Sequence, residues 1–285
     1  MLAAANTAAV IGLGNLGGAI ARRLIDCGWS VGVADTESVR VDELRAAGAA
    51  PSLDLASTKF LCFVTPDDVA IRSTLEKRLL GELSHQHIVV VHSTILPEAA
   101  RRIGELVKSS GAAYVEAPVS GGADRARSGE LTVFVGGEPA EIERAQVLLH
   151  AIGSQIFVMG RAGAASAAKL ANQLVLFAST AGLHEALRLT ETFGVEDDLV
   201  LQALRSGLGD TWSGRNWGFF DQLASDYDAS GVGREVRPWS KDPREFIDAA
   251  EVAGTPSRVA ALLADILPTL IEDHAQAASG REAQS

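Results

Sequence analysis

A chain of 285 residues with 47% hydrophobic content can bury a sizeable core and divide into two domains. Its formal net charge of −11, with no basic cluster to neutralise phosphates, excludes a nucleic-acid partner. Two cysteines and six histidines, none at ligand spacing, argue against a disulfide framework and against a metal centre, so Cys27 and Cys62 are expected as reduced core residues of a cytoplasmic protein.

The opening stretch MLAAANTAAVIG has no basic n-region and runs straight into a strand, so no secretory signal is expected. Apolar runs then alternate with amphipathic stretches at βαβ spacing. Strands are predicted at 8–11, 30–34, 60–65, 88–92, 113–116, 131–135 and 155–158, with helices between most of them, which gives an α/β fold with a doubly wound parallel sheet. The first strand leads into Gly12-Leu13-Gly14-Asn15-Leu16-Gly17 and a helix over 16–27. In such a loop the first glycine permits the tight turn, the second lets backbone approach a pyrophosphate, and the third lets helix and strand pack closely. Asp35 ends the second strand, where a carboxylate holds a ribose 2′-hydroxyl and repels a 2′-phosphate, so NAD is favoured over NADP. Arg40 lies close enough to attract a phosphate instead, and Asp35 has the alternative of capping the next helix.

Thr65-Pro66 and Ser93-Thr94 follow the third and fourth strands, at the carboxyl edge where open α/β sheets bind ligands; a Ser/Thr helix cap is the alternative. Pro97 opens the next helix. After the fifth strand, Ser120-Gly121-Gly122 offers a hydroxyl and unobstructed N–H groups, either as a carboxylate cradle or as a plain turn.

From Gly160 to Gly194 the sequence predicts one long helix, apolar nearly all round and therefore buried, with Gly194 as its C-cap. At about 100° per residue, Ser166, Lys169, Gln173 and Thr180 fall within roughly 60° of one another, with Asn172 further round. A buried lysine must be paired or lose its proton, unless it snorkels to solvent. The polar content of the first half, Lys169, Asn172 and Gln173, excludes a membrane span.

Beyond Gly194, helices are predicted at 197–206, 217–224, 243–253 and 257–271, an all-α domain. Trp212, Trp217, Phe219 and Phe220 gather between the first two, as packing or as a substrate-pocket wall. Lys241 stands just before a proline-started helix, near Arg234, Arg237 and Trp239, and the polar tail from His274 is expected to fray.

The glycine loop, Thr65-Pro66, Ser93-Thr94, EAPVSGG from Glu116, Lys169 within KLANQ, and Lys241-Asp242 together resemble the β-hydroxyacid dehydrogenases, in their order and spacing, over nearly the whole chain. The resemblance implies an NAD-binding Rossmann domain over 1–160, an interdomain helix over 161–194, and an all-helical substrate and oligomerisation domain over 195–285, in a homodimer or homotetramer. It implies Ser120, Gly121 and Gly122 on the substrate carboxylate, Lys169 as general acid/base beside Asn172 and Gln173, and Lys241 reaching cofactor or substrate. Gln173 stands where the family usually has a second asparagine, which either shifts substrate choice or leaves the amide role to Asn172. Glu116 replaces the usual aspartate, expected as a minor structural change. The function implied is hydride transfer between NAD and a small 3-hydroxy acid. Reduction of an imine on the same scaffold, or a silent dinucleotide-binding module, are the alternatives.

Overall fold

Every residue of β1 (Thr7–Ile11) after Thr7 is buried, as expected of a strand that packs helices on both faces. The computed structural model describes residues 6–51 and 54–282, so the first five residues of the opening stretch, where no secretory signal is expected, lie outside it. The chain divides into two units, Met1–Lys169 and Leu170–Ser285.

In the first unit β1 is followed by α1 (Asn15–Asp26), β2 (Ser30–Ala34), α2 (Ser38–Ala46), β3 (Phe60–Phe63), α3 (Asp68–Thr74), β4 (Ile88–Val91), α4 (Pro97–Ser109) and β5 (Ala113–Glu116). Then come β6 (Val119–Ser120), α5 (Gly122–Ser128), β7 (Leu131–Gly137), α6 (Pro139–Ile152), β8 (Gly153–Gly160) and α7 (Ala164–Glu191). The sheet order is β2-β1-β3-β4-β5-β7-β6, with β8 paired to β7. Alternate residues feed two cores, as a period of two requires. Phe60, Cys62, Ile88, Val90 and Val115 pack with α1 and α6, whereas Leu61, Phe63, Val89, Val91 and Tyr114 pack with α4.

The sheet is dominated by parallel pairs but is not wholly parallel. β7 runs antiparallel to β5 and β6, while β8 is parallel to β7. A parallel return needs a crossover of a dozen or more residues; β6 and β7 are separated only by residues 121–130, whereas the longer α6 lets β8 return in parallel.

The long helix exists as predicted, and Gly194 (φ +72°) closes it. The Gly194 N–H donates to Glu191 O and the Val195 N–H to Thr190 O, the paired bonds of a Schellman motif with glycine at C′. Burial all round is corrected: Val175 is 70% exposed, and Ala167 and Ala171 on the same face are exposed too.

The second unit adds α8 (Asp197–Ser206), α9 (Trp212–Arg215), α10 (Phe219–Ala229), α11 (Pro238–Ala253) and α12 (Arg258–Glu282) around Phe177, Trp239, Leu263, Leu267 and Ile271. Three expectations change here. α11 starts at Pro238, so Pro243 sits inside it and Lys241 lies within the helix rather than before it. α12 continues past His274 to Glu282, within the tail expected to fray, whose last three residues lie outside the described ones; His274 Nδ1 lies 2.7 Å from Asp221 Oδ1. Finally, Cys62 is buried but Cys27 is exposed at the end of α1; burial pushes the Cys62 thiol up to about 12, so it is inert. No helix among the described residues is long and apolar enough to cross a membrane.

Candidate active site

Strand register places the loops after β1, β2, β3 and β4 side by side, because Ile11 pairs with Ala34 and Phe63, and Phe63 with Val91. β2 and β3 flank β1 on opposite sides, which makes the carboxyl end of β1 a topological switch point. The three loop glycines there differ in what demands them. Gly12 has φ +91°, and a Cβ on it would collide with Val64 O; a Cβ on Gly17 would collide with Gly12 O. Around Gly14 nothing of the chain lies within 4 Å of such a Cβ. Gly14 is also the N-cap of α1, without a side-chain cap hydrogen bond, so the first-turn N–H groups of α1 receive no help from a capping side chain. The fold therefore needs glycine at 12 and 17, while open space at 14 and an uncapped helix start suit an approaching pyrophosphate. Substituting Gly14→Val is expected to leave folding intact and weaken dinucleotide binding at least tenfold in a fluorescence titration with NADH. Gly17→Ala is expected to lose soluble folded protein. Equal tolerance at both positions would contradict this division.

Asp35 does not cap α2, whose N-cap is Glu37. Its carboxylate accepts the Leu13 N–H at 2.6 Å and the Glu37 N–H at 2.8 Å, tying the end of β2 to the glycine loop. Arg40 Nη1 stands 3.8 Å from it. Asn15 and Leu16 form the first turn of α1. Thr65 and Ser93 meet directly: the Thr65 N–H donates to Ser93 Oγ at 2.9 Å. Ser93 is not a helix cap, since α4 is capped at Leu96 with Pro97 opening it. Pro66 and Thr94 complete these two loops.

Sequence reasoning passed over His92, beside Ser93. It is buried, its Nδ1 is 2.9 Å from Ala117 O, and burial pushes its pKa down to about 4. The ring is thus neutral and Nδ1 carries the hydrogen that Ala117 accepts, fastening β4 to the turn that leads to Ser120. In that turn Gly121 (φ +136°) and Gly122 (φ +75°) are conformationally required, and Gly121 is the N-cap of α5.

On α7 the predicted stripe is real: Ser166, Lys169, Gln173 and Thr180 are buried, with Lys169 only 6% exposed. It does not snorkel. Within the second unit the Gln173 side-chain amide donates to Asp242 Oδ2 at 2.5 Å, and its carbonyl accepts from Asn172 Nδ2 at 3.2 Å. Asp242, buried on α11, thus fixes the orientation of the amide at the position where the chain departs from the family pattern. Lys241 Nζ is 2.9 Å from Glu245 Oε1 and 3.7 Å from Asp242 Oδ1. The aromatic residues form two groups: Trp212, 41% exposed, meets Phe219 edge-on, Phe219 meets Phe220, and Phe220 continues to Phe177 and Trp239, whereas Trp217 packs tilted against His184 and edge-on to His274.

Two family models match the chain. Residues 7–160 match the NAD binding domain of 6-phosphogluconate dehydrogenase, and residues 163–283 match the NAD-binding model of NADP-dependent 3-hydroxyisobutyrate dehydrogenase. The chain belongs to the β-hydroxyacid dehydrogenase family. Among its relatives is the NAD-dependent L-serine dehydrogenase of Pseudomonas aeruginosa, 32% identical over 72% of this chain and 71% of that protein. Another is the mitochondrial 3-hydroxyisobutyrate dehydrogenase of Drosophila melanogaster, 30% identical over 71% of this chain and 64% of that enzyme. The chain therefore spans less than two thirds of the fly enzyme. In fold it is similar to the solved structure of Mycobacterium tuberculosis 3-hydroxyisobutyrate dehydrogenase with L-serine, with a TM-score of 0.79, 24% identity and 95% of both chains covered. An imine reductase of Streptomyces aurantiacus shares the fold less closely, with a TM-score of 0.63, 19% identity, and 90% of this chain and 99% of that one covered.

Proposed function

We propose that the protein oxidises a small 3-hydroxy acid, or reduces the corresponding carbonyl acid, with NAD as the preferred cofactor. The observation that carries this is Lys169, an amine withdrawn from water on the helix that follows a dinucleotide-binding sheet in a family of hydroxyacid dehydrogenases. When bound, the dinucleotide supplies the acceptor or donor of the hydride. Lys169 takes the proton from the substrate hydroxyl, or returns it, as general base and acid. Ser120 and the N–H groups of Gly121 and Gly122 hold the carboxylate. Asn172 orients the reacting oxygen, because the Gln173 amide is held by Asp242. Lys241 steadies cofactor or substrate charge. A lysine in this position argues for alcohol oxidation over imine reduction on the same scaffold.

Gly12 to Gly17, Thr65-Pro66 and Ser93-Thr94 hold the dinucleotide in this reading. Asp35 favours NAD, since its side chain is held at the end of β2 and Arg40 is turned toward it rather than left to a 2′-phosphate. The exposed face of Ala167, Ala171 and Val175 suits a second copy in a homo-oligomer, and two free thiols suit a reducing cytoplasm. The test mixes protein and NAD with a panel of 3-hydroxy acids and follows NADH absorbance. At least one acid is expected to turn over, with kcat/KM at least tenfold higher for NAD than for NADP, and Asp35→Ala is expected to narrow that ratio. NAD binding without turnover of any acid would identify a silent module, and an NADP preference would reverse the role given to Asp35.

A further inference from the structure

Glu116, the last residue of β5, is wholly buried, and its carboxylate is spent on one target. Oε1 accepts the N–H of Ala165 at 2.8 Å, and Oε2 accepts the hydroxyl of Ser166 at 2.9 Å. The main-chain N–H groups of Gly163 and Ser166 also bear on it. These are donors that a helix start leaves without intrahelical partners, and negative charge is favourable at that end of a helix. A carboxylate from the sheet thus does for α7 what an N-cap side chain does elsewhere. Burial holds the carboxyl above its ordinary range while these donors draw it back down.

The surroundings are matched to this grip. Gly136 is the cross-strand partner of Glu116, and a Cβ there would collide with Glu116 Oε1, so glycine makes room for the side chain. The approach to α7 is tight as well: Gly163 has φ +95°, and a Cβ on it would stand 3.1 Å from Pro97 O. Lys169 lies one turn beyond Ala165 and Ser166, on the same face as Ser166 and about 6 Å further along the axis than Ala165.

We propose that Glu116 is a positioning residue for Lys169: by clamping the first turn of α7 it sets the depth and rotation at which the amine is presented. This rests on the catalytic reading of Lys169. A displacement of about 1 Å at a reacting group can cost a hundredfold in rate, so a clamp on the preceding turn bears directly on turnover.

The test compares Glu116→Ala and Glu116→Gln in the full chain. Glutamine keeps the shape, one carbonyl acceptor for Ala165 and a donor for the Ser166 oxygen. Glu116→Ala is expected to lower kcat tenfold to a hundredfold while KM and Kd for NAD stay within twofold, and Glu116→Gln is expected to restore kcat to within threefold of wild type. Acetic anhydride labelling of Lys169, read by mass spectrometry, is expected to speed up at least fivefold in the alanine variant and to stay at the wild-type rate in the glutamine variant. Should Glu116→Ala not fold, Glu116→Met replaces it, because it keeps much of the buried volume while removing both carboxylate oxygens. A folded Ala or Met variant with unchanged kcat and labelling overturns the proposal, as does loss of cofactor affinity in proportion to kcat. Faster labelling with unchanged kcat would keep the clamp and remove Lys169 from catalysis.

Discussion

Lys169→Ala is expected to fold, to bind NAD with wild-type affinity and to lose kcat by about 10²–10⁴-fold, the range that general acid–base catalysis supplies. Alanine is the best helix former, and α7 is anchored at Glu116 before this position and closed by the Gly194 turn after it, so the helix persists. In the proposed reading the dinucleotide is held by the loops after β1 to β4, and Lys169 is given no part in holding it. Lys169→Arg provides the sharper comparison: arginine keeps a positive charge but does not deprotonate in proteins, so it cannot accept the hydroxyl proton. If charge alone held the substrate, arginine would recover most of the rate; with acid–base chemistry both variants stay inactive. Steady-state kcat with any acid found active, together with NADH titration, decides it. Activity retained in Lys169→Ala would end the mechanism.

What was legible in the sequence follows from where each signal is written. βαβ spacing and period-two burial are local, and strands 30–34 and 113–116 coincide with β2 and β5. The glycine loop was legible because its three glycines sit within six residues between a strand and a helix, although the group that crowds Gly12, Val64 O, lies on another strand's loop. The direction of β7 was not, because apolar runs look alike whichever way they pair; only the short connection from β6 limits the choice. α7 appeared buried all round because alanine and valine give no sign of which face is covered. Lys169, Gln173 and Ser166 were found together because helical periodicity aligns them, yet their partners lie far off in sequence: Glu116 is 49 residues before Ala165, and Asp242 is 69 after Gln173. The helical course of the tail as far as Glu282 was missed for the same reason, since the polar His274 is held by Asp221 across 53 residues. Long-range polar pairing leaves no periodic trace.

The largest stability effect is expected at Arg237, read in the sequence only as part of a basic turn. Its side chain is 2% exposed and forks onto both oxygens of Glu272 at 2.9 Å, while also reaching Asp228 and the Val232 carbonyl. Glu272 is itself buried and accepts the Trp239 indole N–H at 3.0 Å. Arg237 is also the N-cap of α11, the helix bearing Lys241 and Asp242. Arg237→Met keeps much of the apolar volume but strands the Glu272 carboxylate, and removing one partner of a buried ion pair costs about 3–5 kcal/mol. Trp212, Trp217 and Trp239 all belong to this unit, so urea unfolding followed by tryptophan fluorescence reports chiefly on it. The double variant Arg237→Met with Glu272→Met removes both charges and is expected to recover at least half of the loss, because a buried pair exchanged for apolar groups of similar volume is often neutral. A single variant within 1 kcal/mol of wild type would mean that Glu272 finds water or Arg234, which stands 3.5 Å away, and that the pair does not hold this helix in place. Such a loss would reach Gln173 through Asp242, so under the proposed function Arg237→Met is also expected to free the Gln173 amide and raise KM before the unit unfolds.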